Sequence, residues 1–404
     1  MRLHPFRAVL PAPELAARVA APPYDVVSRR EAADLAAGNP VSFLHVGRAD
    51  IDLPDDVDPH DARVYARARG NLYRLLAEGA LVREREPALY VYRETIGSRA
   101  QIGVVGCVHV GDYERDVIRK HERTRPDKED DRTRHILALD AHAEAVLLAY
   151  RDRSDVDRLV AETMDAAPAL FDFTAADGVR HTVWRALDAS ALVEAFSAVP
   201  VAYVADGHHR SASAWRAAQE LGARPGDEHE WFPAALCPAS GLAILPYHRV
   251  IRDLGGLTPK AALDRLATVG PLVPAADRLP PHAGSFGLYL DGRWHLLELA
   301  PDSIDRADPV RSLDVWLLQE RVLRPVFGIG DPSTDERIDF VGGIRGTRDL
   351  EARVDSGDAA LAVSMWPTSM AQLMAVADAG AIMPPKSTWF EPKLSSGLFV
   401  HPFA

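Results

Sequence analysis

Apolar and polar positions alternate along this chain in two recognisable rhythms. From Val64 to Ala80 the apolar residues Tyr65, Leu72, Leu75 and Leu76 recur at helical spacing, and the acidic, Pro-bearing stretch from Asp50 to Asp61 before them reads as a surface loop. Strands follow. Ala88–Thr95 and Ile102–Val110 are rich in Val, Ile and Tyr with Gly97 between them, the pattern of a hairpin. A second hairpin is predicted over Gly287–Leu299 around Asp291-Gly292, a dipeptide that favours the tight turn between twisted strands. The run Val199–Ala205 reads as a buried strand, Asp206-Gly207 as an abrupt polar turn, and His208–Ala218 as a helix start, with Leu242–Ile251 predicted as the strand after it. Helices and strands are mixed irregularly. The expectation is an α+β fold, a mixed sheet with packed helices, divided near residue 252 into a core over 1–252 and a C-terminal α+β subdomain over 253–404 whose tail packs back on the core.

Length and composition narrow the function classes. At 404 residues the chain is long for a single core, so two subdomains are expected. No stretch of 18 apolar residues is present, so no membrane span is indicated, and the N-terminal residues lack the apolar segment of a secretory signal. Cytoplasm is the expected compartment. Cys107 and Cys237 are too few for a disulfide scaffold and read as buried structural thiols. A net charge of −12 argues against nucleic acid, whose binding takes many Lys and Arg contacts, and leaves a local pocket for a small anion.

The turn carries the chemistry. Amide groups at a helix start point outward without partners, and the helix dipole adds roughly half a positive charge there, so phosphate is favoured. Here Asp206, Gly207, His208, His209, Arg210 and Ser211 follow one another at that place. A second charged stretch runs from Glu114 to His135, with 17 of 22 residues charged or histidine, eight Lys/Arg against seven Asp/Glu. Two readings fit it: a solvated helix held by side-chain pairs, or a catalytic segment in which Glu122 is a base and neighbours such as Thr124 and Lys128 hold anionic oxygens. Near the C-terminus, Lys386-Ser387-Thr388 follows Met-Pro-Pro rather than a glycine-rich cradle, which excludes a Walker loop. That segment, which offers Lys386, Ser387, Thr388 and Lys393, is either a ligand contact or a structural clasp. Gly328–Thr334 lacks the strand and helix of a dinucleotide fingerprint and reads as a loop.

Taken in order, Ala21-Pro-Pro-Tyr-Asp25, Asn39–Val46, Tyr90-Val-Tyr-Arg93, Lys120-His-Glu-Arg-Thr124, Lys128-Glu-Asp-Asp-Arg132, Ala205-Asp-Gly-His-His-Arg210, Leu245-Pro-Tyr-His-Arg-Val250 and Met383–Thr388 resemble the prokaryotic family named domain of unknown function 1015. The resemblance spans nearly the whole chain. Locally, Asp206-Gly-His-His-Arg210 is similar to the phosphate-binding turn of the ParB/sulfiredoxin superfamily, which includes free-serine kinases. That similarity implies a nucleotide-binding core and a kinase of a small hydroxyl substrate using Mg²⁺ and ATP or ADP, with L-serine to O-phosphoserine as the leading case. It implies roles for Glu122 as catalytic base, for Asp206 as metal ligand or orienter of His208 and His209, and for Gly207 to Ser211, with Thr124 and Lys128, as phosphate contacts. Arg93, His248, Arg249, Lys386, Ser387 and Thr388 are expected to bind substrate or close over it. A small-molecule phosphatase and a noncatalytic nucleotide switch are the alternatives, and the sequence leaves room for a homodimer.

Overall fold

The computed structural model describes residues 1–403 and is α+β. It divides into two compact units, Met1–Leu242 joined by the segment from Pro392 onward, and Ala243–Glu391. The division thus falls ten residues before the expected one, and the returning tail counts with the first unit.

The first unit is built on a nine-stranded mixed sheet. Its strands are β1 (Leu3–His4), β2 (Tyr90–Ile96), β3 (Arg99–His109), β4 (Ile118–Arg119), β5 (Val146–Tyr150), β6 (Ala169–Thr174), β7 (Arg180–Arg185), β8 (Ala202–Asp206) and β9 (Trp231–Pro238). They lie in the order β4-β8-β5-β9-β3-β2-β7-β6, with β1 on β3. The hairpin β2–β3 is the one that alternation predicts, pairing Tyr90 with Val105 through Ile96 with Arg99. Val104, Val108, Val146, Leu148, Val204 and Leu236 form one face of the sheet and are at most 1% exposed. At 25 cal/mol per Å² such burial supplies about 2 kcal/mol per side chain, which is what fixes the strand register.

Three helices matter for the site: α1 (Ala62–Ala77), α2 (Pro126–Leu139) and α3 (His208–Glu220). Helix α1 starts where Asp61 caps the Arg63 amide, and buries Val64, Tyr65, Ala68, Leu72 and Leu75 along one stripe. The charged stretch 114–135 is not the single solvated helix that its composition suggests. It contains the end of a short helix (Val110–Glu114), strand β4, a loop, and only then α2, which opens on Pro126. Part of its polar face is buried rather than solvated: Asp131 accepts hydrogen bonds from Tyr65 (2.8 Å) and Arg132 (2.7 Å) and meets His60 at 3.0 Å, while the Arg132 guanidinium lies 3.9 Å from the Tyr24 ring centre. Charges that find partners can be buried, and composition alone does not show the partners.

The second unit has a six-stranded sheet in which Ser285–Leu290 and Arg293–Glu298 form the predicted hairpin. Asp291 and Gly292 both take positive φ (51° and 72°), the backbone of the tight turn. The strand Tyr247–Ile251, within the predicted Leu242–Ile251, belongs to this sheet, between Ile338–Gly342 and Leu361–Met365. The neighbours of β8 are β4 and β5.

Candidate functional site at the start of helix α3

Strand β8 runs parallel to β4, with Ala202 opposite Ile118 and Tyr203 opposite Arg119. Two parallel neighbours end on the same side of a sheet. One chain therefore continues from β4 into Lys120-His121-Glu122, and the other from β8 into Asp206-Gly207-His208. This register brings the charged segment to the turn, and a crevice beyond the carboxyl ends of parallel strands is where open sheets bind ligands.

Gly207 carries the chain from strand to helix at φ 96°, a conformation that L side chains rarely adopt. A Cβ there would also lie 3.0 Å from Arg210 Nε and 3.1 Å from a Val146 methyl. The first helical bond of α3 is from the Ser211 amide to the Gly207 carbonyl (2.9 Å), and no side chain caps the helix. The amides of His208, His209 and Arg210 are thus left without an intrahelical acceptor.

The side chains around these amides form a charge network. Asp206 accepts from Arg210 through one oxygen (2.6 Å) and from Lys393 through the other (2.7 Å). Although burial opposes its ionisation, these two cations hold its carboxyl far below the usual range. Arg210 also donates to the Ala145 carbonyl at 2.5 Å and is 8% exposed. Behind it a cavity of about 30 Å³ is lined by Arg132, His135, His142, Glu144 and Arg210. Asp25 lies within electrostatic reach of Arg210, Lys393 and His209. His209 Nε2 accepts from the Arg125 amide (3.1 Å), which fastens the Glu122 loop to the helix start. Ser213 and Arg216 continue that seam, donating to the Glu129 carbonyl and the Asp130 carboxylate. Glu122 keeps 46% of its side chain exposed and has an oxygen 3.8 Å from His208 Nδ1.

The chain matches the family described as "Protein of unknown function (DUF1015)" over residues 3–316. The chain belongs to this family. No curated protein matches it. Among solved structures, this DUF1015 member is similar to SbnI with a C-terminal truncation from Staphylococcus aureus, at 14% identity over 74% of this chain and 87% of that one, TM-score 0.40. It is similar to a free serine kinase in complex with AMP, at 12% identity over 71% of this chain and 86% of that one, TM-score 0.36. A conserved hypothetical protein from Pyrococcus furiosus follows at 13% identity, 74% and 95% coverage and TM-score 0.35. At these values the likeness assigns no reaction.

Several expected site residues of this DUF1015 chain stand elsewhere or do other work. Arg210 directs its two terminal nitrogens to the Ala145 carbonyl and Asp206, while its Nε has no hydrogen-bond partner. Each oxygen of Asp206 takes one charged hydrogen bond, from Arg210 and from Lys393. Thr124 turns its hydroxyl to Glu129. Ser211 is fully buried and donates to the Gly207 carbonyl (3.1 Å), so only its position, not its hydroxyl, serves the turn. Lys128 stands half-buried in the first turn of α2, next to Glu129. Arg93 sits on β2, four strands from β8 or about 19 Å at ~4.8 Å per strand, with its guanidinium over Trp184. His248, Arg249, Lys386, Ser387 and Thr388 belong to the second unit. There His248 Nδ1 accepts from the Met365 amide (3.1 Å), Arg249 donates to the Lys386 carbonyl (2.9 Å), and Thr368 donates to the Ser387 carbonyl (2.9 Å). Asp25 and His121 were not singled out as site residues by sequence reasoning, whereas Lys393 was offered with its segment as either a ligand contact or a structural clasp. The signal was there for His121, next to Glu122 in Lys-His-Glu-Arg-Thr, but nothing local marks Lys393 as the partner of a residue 187 positions earlier.

Acid should loosen this unit before carboxylates protonate. Burial holds His121, His135 and His181 near pKa 4, well below their ordinary value. A depressed folded-state pKa means that the unfolded chain takes up protons first, so the stability these residues contribute is complete above about pH 6.5 and is lost as pH falls toward about 4. Scanning calorimetry of the intact chain should show a melting temperature that drops through this window. A constant value down to about pH 4.5 would contradict the assignment.

Proposed function

We propose that the chain is a nucleotide-dependent phosphotransferase acting on a small hydroxyl substrate, with free L-serine as the first acceptor to test. The observation that carries this reading is the uncapped, glycine-opened start of α3 beside a half-exposed carboxylate. The amides of His208, His209 and Arg210 offer oriented donors to phosphate oxygens. Phosphoryl transfer asks mostly for position and charge neutralisation, which preformed donors supply without reorganisation.

In this reading Glu122 accepts the proton of the acceptor hydroxyl as its oxygen attacks the terminal phosphorus of ATP or ADP. The bond from phosphorus to the bridging oxygen breaks, leaving ADP or AMP and the phosphate monoester. Arg210 and Asp206 hold the turn in shape. Magnesium that arrives on the nucleotide is part of the substrate, and no side-chain ligand for it is assigned. A phosphatase in which His208 or His209 shuttles protons is less well supported, because burial lowers the pKa of both rings, that of His208 furthest.

Phosphorus NMR of the intact chain with Mg²⁺, ATP or ADP, and L-serine should show a phosphomonoester signal growing as nucleotide is consumed. If no member of a panel of small alcohols is phosphorylated from either nucleotide, the reading is wrong.

A further inference from the structure

The loop after β4 and the first residue of α3 bring two histidine rings together inside the first unit. His121 and His208 pack edge to face with centroids 4.4 Å apart, and they are 1% and 5% exposed. Nε2 of His208 has no hydrogen-bond partner, and the ring nitrogens of His121 meet only the backbone of Val204, outside normal hydrogen-bond geometry. A buried polar group left this way costs about 1–3 kcal/mol, so three such nitrogens in one place call for a reason. Packing does not provide it, since apolar rings would fill the same space without that penalty. Glu122 brings an oxygen to 3.8 Å from His208 Nδ1. One donor atom from each of the three residues lies within 4.8 Å of the other two.

We infer that His121, Glu122 and His208 form a binding site for a divalent transition-metal ion of the zinc type. Two imidazoles and one carboxylate are donors suited to such an ion, whereas Mg²⁺ prefers oxygen alone. Burial favours the neutral imidazole, which is the coordinating form. Bonds of about 2.0–2.2 Å put tetrahedral donors roughly 3.4 Å apart, so the set must close by about an ångström. The half-exposed Glu122 side chain has room to make that movement. Three protein donors leave a further position for water or a ligand. Resting on the phosphotransferase reading for this consequence alone, a bound ion takes Glu122 out of proton transfer and so inhibits the reaction.

The test is a titration of the full chain, freed of metal by chelator, with Co²⁺ in the absence of nucleotide. One ion per chain should bind, with the visible bands of cobalt in a low-coordinate site, and Zn²⁺ should displace it. Glu122→Gln should weaken binding by an order of magnitude or more without altering the melting curve, and His121→Gln should abolish the bands. The inference is overturned if no saturable binding occurs, or if the bands survive unchanged in Glu122→Gln, which would put the ion elsewhere, for instance at Glu228 with His4 and His401. Because Glu122 is exposed, that variant decides the matter even if the buried histidine cannot be replaced in a folded chain. Loss of the metal site would leave the phosphorus NMR result standing, and the reverse holds as well.

Discussion

Glu122→Gln is expected to lower turnover by about 10²–10⁴-fold, the usual worth of a positioned general base. The substitution keeps the shape of a side chain that is 46% exposed, so stability should stay within the roughly ±0.5 kcal/mol typical of surface changes. Nucleotide binding should persist too, because the amides of His208 to Arg210 remain in place. The loss should therefore fall on kcat with KM for nucleotide nearly unchanged, which is the mark of an interaction made in the transition state. Steady-state kinetics should be run with Mg²⁺ present and transition metals removed. Under those conditions a variant that keeps wild-type turnover removes Glu122 from the mechanism.

Arg210→Met should act mainly on stability. The guanidinium is 8% exposed and donates to both Asp206 and the Ala145 carbonyl, so its removal leaves an acceptor unpaired and the partly buried Asp206 carboxylate, 21% exposed, with Lys393 as its remaining hydrogen-bonded cation. Breaking a buried pair from one side costs about 3–5 kcal/mol, and Lys393 should hold the loss near the lower end. Arg210→Lys should fall between, keeping charge while giving up the forked geometry. With two units in the chain, denaturation need not be a single transition, so hydrogen exchange of the β8 and α3 amides is the more direct measurement. If Arg210 were instead a phosphate clamp, Arg210→Met would weaken nucleotide binding with little change in amide protection, and that result would sink the structural role.

Which parts of this were legible in the sequence follows from how local their causes are. The β2–β3 hairpin, helix α1 and the Asp291-Gly292 turn rest on alternation, periodicity and backbone preference within a few residues, and they stand where the pattern predicts. The turn at Asp206 to Arg210 is legible for the same reason. Strand β4 is not: Ile118 and Arg119 are two residues in a run of charges, and only the edge of β8 makes them a strand. Nor is the burial of Asp131 and Arg132, because their partners Tyr65 and Tyr24 come from distant segments. The site was legible as a place but less so in its roles. Arg210 reads as a free cation until the acceptors that occupy it are known.

The bond between Asp206 and Lys393 has a consequence in time. On the ribosome, the strand and helix that flank the turn emerge long before Lys393 does, and the intervening Ala243–Glu391 unit has its own sheet and can fold meanwhile. Residues Leu398, Phe399 and Val400, each at most 4% exposed, complete the packing of the earlier unit at the same late moment. The nascent chain thus carries an Asp206–Arg210 turn short of one cation and an unfinished core through more than a third of its synthesis. A chain released before Lys393 is added would hold the site's sequence without its balanced charge.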